Sequence, residues 1–255
     1  MKVIGHKGGG ASVPENTATS LNHAFQLGLD AVEIDIWPTA DQQFVLFHDA
    51  HLGRITGHAG WTHSLTSEEL RDLPISSDRA KRKPHEQLLL LPEALDLTDG
   101  KLELILEVKR TRHDLKRFAW VEGELWETLC RHDAQERTTV ISFDHRTLYE
   151  LRLIAPTARI GMLYAGEWLR LWDEVDALAP NALVPHWAQT TPELISRAHQ
   201  TSLKVYPWAV DHREWMERLV AMNVDGIITD YPEVLLDVLQ QCAAPNSPRQ
   251  SVGGT

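Results

Sequence analysis

The chain has 255 residues, 43% apolar and 24% charged, with a formal net charge of −11. That composition is ordinary for a globular protein with a large core, and the acidic balance argues against nucleic acid and anionic membrane surfaces as partners. It leaves room for a small phosphorylated substrate, because a metal and a few local cations can reverse the sign inside one cleft.

Only two cysteines occur, Cys130 and Cys242, far apart and in no metal-ligand or redox spacing. A disulfide framework is therefore not expected, and a reduced, cytoplasmic setting is. Met1-Lys2 runs directly into Val3-Ile4-Gly5-His6 without an apolar signal core, and no apolar run of about 18 residues follows, so no stable membrane association is expected. The oligomeric state is not encoded in any pattern of this kind.

Lys2–Gly5 reads as a first strand, ending in His6-Lys7 and three glycines that permit backbone conformations closed to other residues. No Gly-Lys-Ser/Thr follows, so this is not a Walker loop. Pro14-Glu15-Asn16-Thr17 supplies a turn and a helix start, with Asn16 or Thr17 as N-cap, and Gly28 is placed to end that helix. Ala31–Ile36 reads as a buried strand in which Val32, Ile34 and Ile36 alternate with Glu33 and Asp35. The two carboxylates therefore leave one face, with Cβ atoms roughly 7 Å apart.

Phe44–Phe47 is another strand, closing on His48-Asp49. From Ala50 to about Pro84 the periodicity weakens, which predicts an excursion from the main fold with one short helix near Ser67–Leu73. Its basic run, Arg79–Lys83, reads as a solvated loop. Leu102–Val108 is a strand whose end carries Glu107 and Lys109. Strands at Thr139–Ser142, Arg159–Leu163, Ala182–Val184, Leu203–Pro207 and Gly226–Thr229 then alternate with helices over 115–131, 146–154, 168–178, 191–201, 212–222 and 232–242. The tail from Ala243, rich in Pro, Ser and Gly, is expected to be disordered. Such alternation implies a parallel α/β sheet, and eight strands close a (β/α)8 TIM barrel. The expectation is one barrel domain over 1–242, carrying that excursion.

In such a barrel the carboxyl ends of the strands form one face, where active sites lie. His6, Glu33, Asp35, His48 and Glu107 would gather there, with Lys7 and Lys109. Two acids on one strand face repel, and desolvating them is costly unless a cation answers them. Three carboxylates suit Mg²⁺ or Ca²⁺ better than Zn²⁺. His6 and His48 are then available as acid and base, because an imidazole titrates near neutral pH. The lysines could hold an anion, and the combination points to phosphate ester cleavage.

The other histidines, including His51, His58, His63 and His186, read as surface or structural. Glu15 touches the metal or substrate, or else braces the glycine loop. Asn16 reads as a cap rather than a catalyst. Trp208 stacks on the glycerol or alcohol portion of a substrate, or fills the barrel mouth. Ser142-Phe143-Asp144 and Thr229-Asp230 read as turns and helix caps that shape the rim.

The ordered set His6-Lys-Gly-Gly-Gly-Ala11, Pro14-Glu-Asn-Thr17, Gly28-Leu-Asp-Ala-Val-Glu-Ile-Asp35, Thr39-Ala-Asp41, His48-Asp49, Glu107-Val-Lys109, Ser142-Phe-Asp144, Trp208 and Gly226-Ile-Ile-Thr-Asp-Tyr-Pro232 resembles the glycerophosphodiester phosphodiesterase family. The likeness runs from His6 to about Leu236. It implies an α/β barrel, a (β/α)8 TIM barrel with a small insertion at about 50–90 after the second barrel strand, and hydrolysis of glycerophosphodiesters to glycerol 3-phosphate and an alcohol with a divalent cation. It also implies Glu33, Asp35 and Glu107 as metal ligands, His6 and His48 as catalytic residues, and Lys109 as a phosphate contact.

One departure matters. The family usually carries Arg after the first histidine, where this chain has Lys7. A guanidinium grips phosphate bidentately, whereas an ammonium is a flexible point charge, so the reaction class stands while substrate preference and turnover are open. Asp211 stands where Asn is frequent, a lesser change. Two rival outcomes share these residues. One is a phospholipase D-like lyase that leaves a cyclic phosphate; the other is a catalytically silent metal- or phosphate-binding barrel.

Overall fold

The computed structural model describes residues 1–75, 86–110 and 119–243. Strands β1 (Lys2–Gly5), β2 (Ala31–Pro38), β4 (Glu103–Val108), β5 (Thr138–Ser142), β6 (Arg159–Tyr164), β7 (Ala182–Pro185), β8 (Lys204–Val205) and β9 (Gly226–Thr229) form one sheet in the order β8-β7-β6-β5-β4-β2-β1-β9. Each neighbouring pair along that order is parallel. The two ends of the sheet meet through backbone bonds, Asp225 N–H to the Val205 carbonyl, Ile228 N–H to that of Pro207 and Val210 N–H to that of Ile228. Eight parallel strands thus make a nearly closed barrel, as the alternation predicts.

The pleat explains how two cores are packed. Val32, Ile34, Ile36, Leu104, Leu106 and Val140 point outward under the helices, while Ala31, Ile105, Ile141, Leu163, Val184 and Ile228 fill the lumen. Burying each large aliphatic of this kind contributes about 1.5–3 kcal/mol, and a helix layer outside the sheet is what makes that burial possible. The layer comprises α1 (Ala18–Leu27), α4 (Leu91–Thr98), α5 (Val121–Arg131), α6 (His145–Ile154), α7 (Leu171–Leu178), α8 (Pro192–Gln200), α9 (Arg213–Ala221) and α10 (Pro232–Ala243). α1 begins at Thr17, whose side chain accepts from Ser20 N–H while Ser20 reaches back to the Thr17 N–H, and it ends at Gly28 in the left-handed region (φ 69°). Thr17, not Asn16, is the cap.

Among the described residues, the excursion between β2 and α4 holds strand β3 (Phe44–Leu46), two short α-helices, α2 (Gly53–Thr56) and α3 (Ser67–Arg71), and a 3-10 turn at Thr62–Ser64. It has a core of its own, built from Trp37, Val45, Phe47, Leu52, Ile55, Leu70 and Leu88. β3 differs from its expected place among strands whose carboxyl ends face the mouth. It pairs antiparallel with the overhang of β2, Ile36 opposite Leu46 and Pro38 opposite Phe44. β2 rises past the barrel rim and β3 descends beside it, so His48 reaches the mouth from above. The helix expected over 115–131 is described from Val121, and the basic run at 79–83 and the tail at 244–255 lie outside the described residues. Cys130 and Cys242 are exposed and unpaired, and no helix among the described residues is long and apolar enough to cross a membrane.

Candidate active site

The register of two neighbouring strands builds the centre. Asp35 of β2 lies directly beside Glu107 of β4, and Glu33 sits two residues earlier on the same lumen-facing side of β2. Adjacent strands are about 4.8 Å apart, so register partners on one face place their side chains together. Glu33, Asp35 and Glu107 are all buried, and each offers a carboxylate oxygen within 4.8 Å of the others. The three expected ligands therefore converge.

Their surroundings are those of an acid cluster short of cations. Lys109 Nζ lies 3.0 Å from Asp35 Oδ1 and 2.6 Å from Glu107 Oε1, so its ammonium enters the cluster. Burial and the Asp35 charge push the Glu33 carboxyl up to about 8. Burial raises Glu107 to about 7 even against Lys109. Burial acts on Asp35 in the same sense, but Lys109, His48 and a hydrogen bond from Asn16 outweigh it and hold that carboxyl below the ordinary range. Among the described residues, Glu33 Oε1 is buried without a hydrogen-bond partner, and Asp35 Oδ1 has only its ionic contact with Lys109. An all-oxygen donor set with an orphaned, inward-facing carboxylate oxygen fits a hard divalent cation.

The glycine loop after β1 brings the first histidine to this cluster. Gly8 (φ 99°) and Gly10 (φ 83°) are in the left-handed region, and a Cβ there would meet Ser20 Oγ at 2.3 Å and the Asp230 carbonyl at 2.6 Å. Only glycine lets the chain turn so tightly. The turn aims two N–H groups at Glu33, Lys7 N–H at its Oε2 (2.9 Å) and Gly8 N–H at its carbonyl (2.7 Å). His6 Nε2 lies 3.8 Å from Glu33 Oε2, and its Nδ1 is 2.9 Å from Asp230 Oδ1. Burial alone would lower His6, but the Asp230 hydrogen bond and the charges of Glu33, Asp230 and Asp35 raise it to about 9.

His48 is arranged in the same way and tuned oppositely. Its Nδ1 is 2.7 Å from Asp49 Oδ1. Burial, reinforced by Lys109 and Lys7, holds it below the ordinary histidine value despite Asp35 and Asp49. Both imidazoles line one cavity with Glu33, Glu107 and Lys109, and its other wall is apolar: Ile141, Phe143, Leu163, Trp208 and Ile228. Trp208 donates its indole N–H to the Val184 carbonyl (3.0 Å) and meets Phe143 edge to face, with ring centroids 5.4 Å apart, so the indole is fixed in that wall.

Two expected residues lie beside the cluster rather than in it. Glu15 is outside the three-carboxylate group and takes both nitrogens of the Arg54 guanidinium end, at 2.5 and 3.0 Å. Lys7 turns its ammonium toward Glu15, at 3.7 Å from Oε1. Asn16, read as a cap, instead grips Asp35: its Nδ2 donates to Oδ2 (2.8 Å) and its Oδ1 accepts the Asp35 N–H (3.1 Å). It does so from the left-handed region (φ 57°), which Asn tolerates better than most residues. Asp230, read as a rim turn, is the partner of His6. The available signal was its place one residue past β9, on the same face as the other candidates.

The sequence model described as the glycerophosphoryl diester phosphodiesterase family matches residues 6–234. A glycerophosphodiester phosphodiesterase of Caldanaerobacter subterraneus is 31% identical over 240 residues, 94% of this chain and 98% of that protein. A solved glycerophosphodiester phosphodiesterase from Parabacteroides distasonis superposes with a TM-score of 0.82 at 26% identity, covering 95% of this chain and 98% of the other. An Oleispira antarctica phosphodiesterase, solved with the product sn-glycerol-3-phosphate, shares the fold with a TM-score of 0.87 at 24% identity, covering 94% and 97%. A match spanning nearly all of the barrel, joined to a relative above 30% identity aligned almost end to end, establishes that this chain belongs to the glycerophosphoryl diester phosphodiesterase family.

Proposed function

We propose that this protein hydrolyses glycerophosphodiesters to glycerol 3-phosphate and an alcohol, with Glu33, Asp35 and Glu107 holding a divalent cation and His6 and His48 as the acid–base pair. The observation that carries this reading is the meeting of three buried carboxylates, within 4.8 Å of one another, in a cavity lined by both histidines. The oxygen-only donor set favours Mg²⁺ or Ca²⁺, which when bound would offset charge on the phosphate. Each imidazole has Nδ1 tied to an aspartate, which leaves Nε2 as the working nitrogen. The two are split in basicity, and a split pair is what acid–base division of labour needs. His48, kept neutral, takes the proton of the attacking water; His6, kept charged, protonates the departing alcohol oxygen.

The remaining residues bind. Lys109, which lines the cavity beside the carboxylates, offers a phosphate its ammonium, and Lys7 offers a second from the glycine loop. Phe143 and Trp208 offer apolar surface to the glycerol or alcohol portion. The test is a coupled glycerol 3-phosphate assay with glycerophosphocholine and glycerophosphoethanolamine, with added Mg²⁺ or Ca²⁺ and with EDTA. Release of glycerol 3-phosphate that EDTA abolishes is expected. A cyclic phosphate seen by phosphorus NMR would transfer the site to the lyase reading, and no turnover with any diester and metal would leave the silent barrel.

Asp230 gives a second test of the same assignment. Asp230→Asn keeps the shape and removes the charge that helps raise His6, so His6 should lose its proton at lower pH. The expected result is a kcat reduced by about 10–100-fold with the alkaline limb of the rate profile moved toward neutrality. An unmoved limb would take His6 out of the acid role.

A further inference from the structure

We infer that Arg54, carried by the insertion, is a positioning residue that locks His48 in its working tautomer and keeps Glu15 from neutralising Lys7. The inference rests on the hydrolytic reading above and concerns a residue outside the converging set. α2 is pinned by Leu52 and Ile55, both buried in the insertion core, and this delivers the half-exposed Arg54 between them to the two loops of the barrel mouth. Its Nε donates to Asp49 Oδ2 (2.5 Å), while its two terminal nitrogens donate to Glu15 Oε2 (3.0 Å) and Oε1 (2.5 Å).

Each bond has a consequence one residue further on. With Oδ2 of Asp49 held by Arg54, Oδ1 is left facing His48 Nδ1 at 2.7 Å, which directs the ring proton to Nδ1 and leaves Nε2 as acceptor. With both oxygens of Glu15 on the guanidinium, the Lys7 ammonium meets that carboxylate only in a long ion pair, at 3.7 Å, and is left able to turn to a phosphate. A planar guanidinium can hold two carboxylates at once in a fixed geometry, and a lysine cannot. Arg54 thus connects the loop of one catalytic histidine to the loop of the other.

The experiment uses the full chain with ¹⁵N-labelled histidine rings, and its first readout does not require turnover. At a pH of about 8, above the range in which imidazoles ordinarily charge, wild-type His48 is expected as a single Nδ1–H tautomer. Arg54→Gln should give a mixture of tautomers, lower kcat by about 10–100-fold and raise KM for glycerophosphocholine as Glu15 closes on Lys7. Adding Glu15→Gln to that variant should restore KM and leave kcat low. Arg54→Lys, which keeps charge without the fork, should show the same tautomer mixture and serves if the first variant does not fold. An unchanged His48 tautomer in either folded variant overturns the inference. A lost tautomer in the variants of a protein that hydrolyses no diester supports the hold on His48 and removes the hydrolytic reading alone.

Discussion

His48→Ala is expected to lower kcat for glycerophosphocholine hydrolysis by roughly 10²–10⁴-fold, the range typical of a lost general base or acid. The side chain is partly exposed at the mouth and anchors no core, so the folded state should survive, with a melting temperature within a few degrees of wild type. His6→Ala should fall as far on the natural diester, and the two can be told apart by the leaving group. A diester whose alcohol is p-nitrophenol leaves without protonation, so it should recover most of the His6→Ala rate and little of the His48→Ala rate. Equal recovery in both variants would contradict the assignment of acid and base.

The pH profile follows with its sign. Activity should rise as His48 loses its proton, with a midpoint below the ordinary histidine value because burial disfavours the imidazolium. It should fall again as His6 loses its own. That midpoint lies above 6.5 but at or below about 9, because a cation on Glu33 offsets some of the negative charge that raises His6.

The second large effect is on stability. Divalent metal at about a hundredfold excess over its dissociation constant should stabilise the fold by about 2.7 kcal/mol, which for a chain of this size raises the melting temperature by roughly 5–10 °C. The rise should be greater at pH 8 than at pH 6. Glu33, raised to about 8, and Glu107, raised to about 7, keep protons in the metal-free fold that the unfolded chain has released. Between the unfolded value of 4.5 and those folded values, metal-free stability therefore falls as pH rises, and metal binding, which expels the protons, gains over the same window. Glu33→Gln should abolish the metal-induced rise. It should also leave the metal-free protein at least as stable at pH 8, because it removes a buried charge next to Asp35. A full-sized metal response in Glu33→Gln, measured by scanning calorimetry with and without EDTA, would exclude Glu33 as a ligand.

Several features of the site were legible before any coordinates. Alternation in Ala31–Ile36 puts Glu33 and Asp35 on one face whatever the strand pairs with, because the pleat has period two. The strand–helix alternation after Leu102 implied the parallel barrel. His48 was placed in the mouth for a partly mistaken reason: the strand before it runs antiparallel along the β2 overhang, and its direction depends on a partner that local pattern does not name. Asn16 and Asp230 were read as a cap and a turn residue, and Arg54, inside the weakly periodic excursion, carried no signal of its own. Polar side chains outside a periodic pattern look alike in sequence, and the partners that give these three their roles lie 19, 224 and 39 residues away along the chain.

The sequence by itself determined which residues could be buried, which strand faces carry acids, and that the strands run in parallel between helices, since these follow from side-chain spacing over a few residues. Only the tertiary structure decided that Asp35 falls beside Glu107, that His6 and His48 each rest on an aspartate, and that their surroundings shift one imidazole up and the other down from the ordinary histidine value. Strand register and the local field depend on which groups are brought together and how much water is removed between them. Those quantities exist only once the barrel has closed.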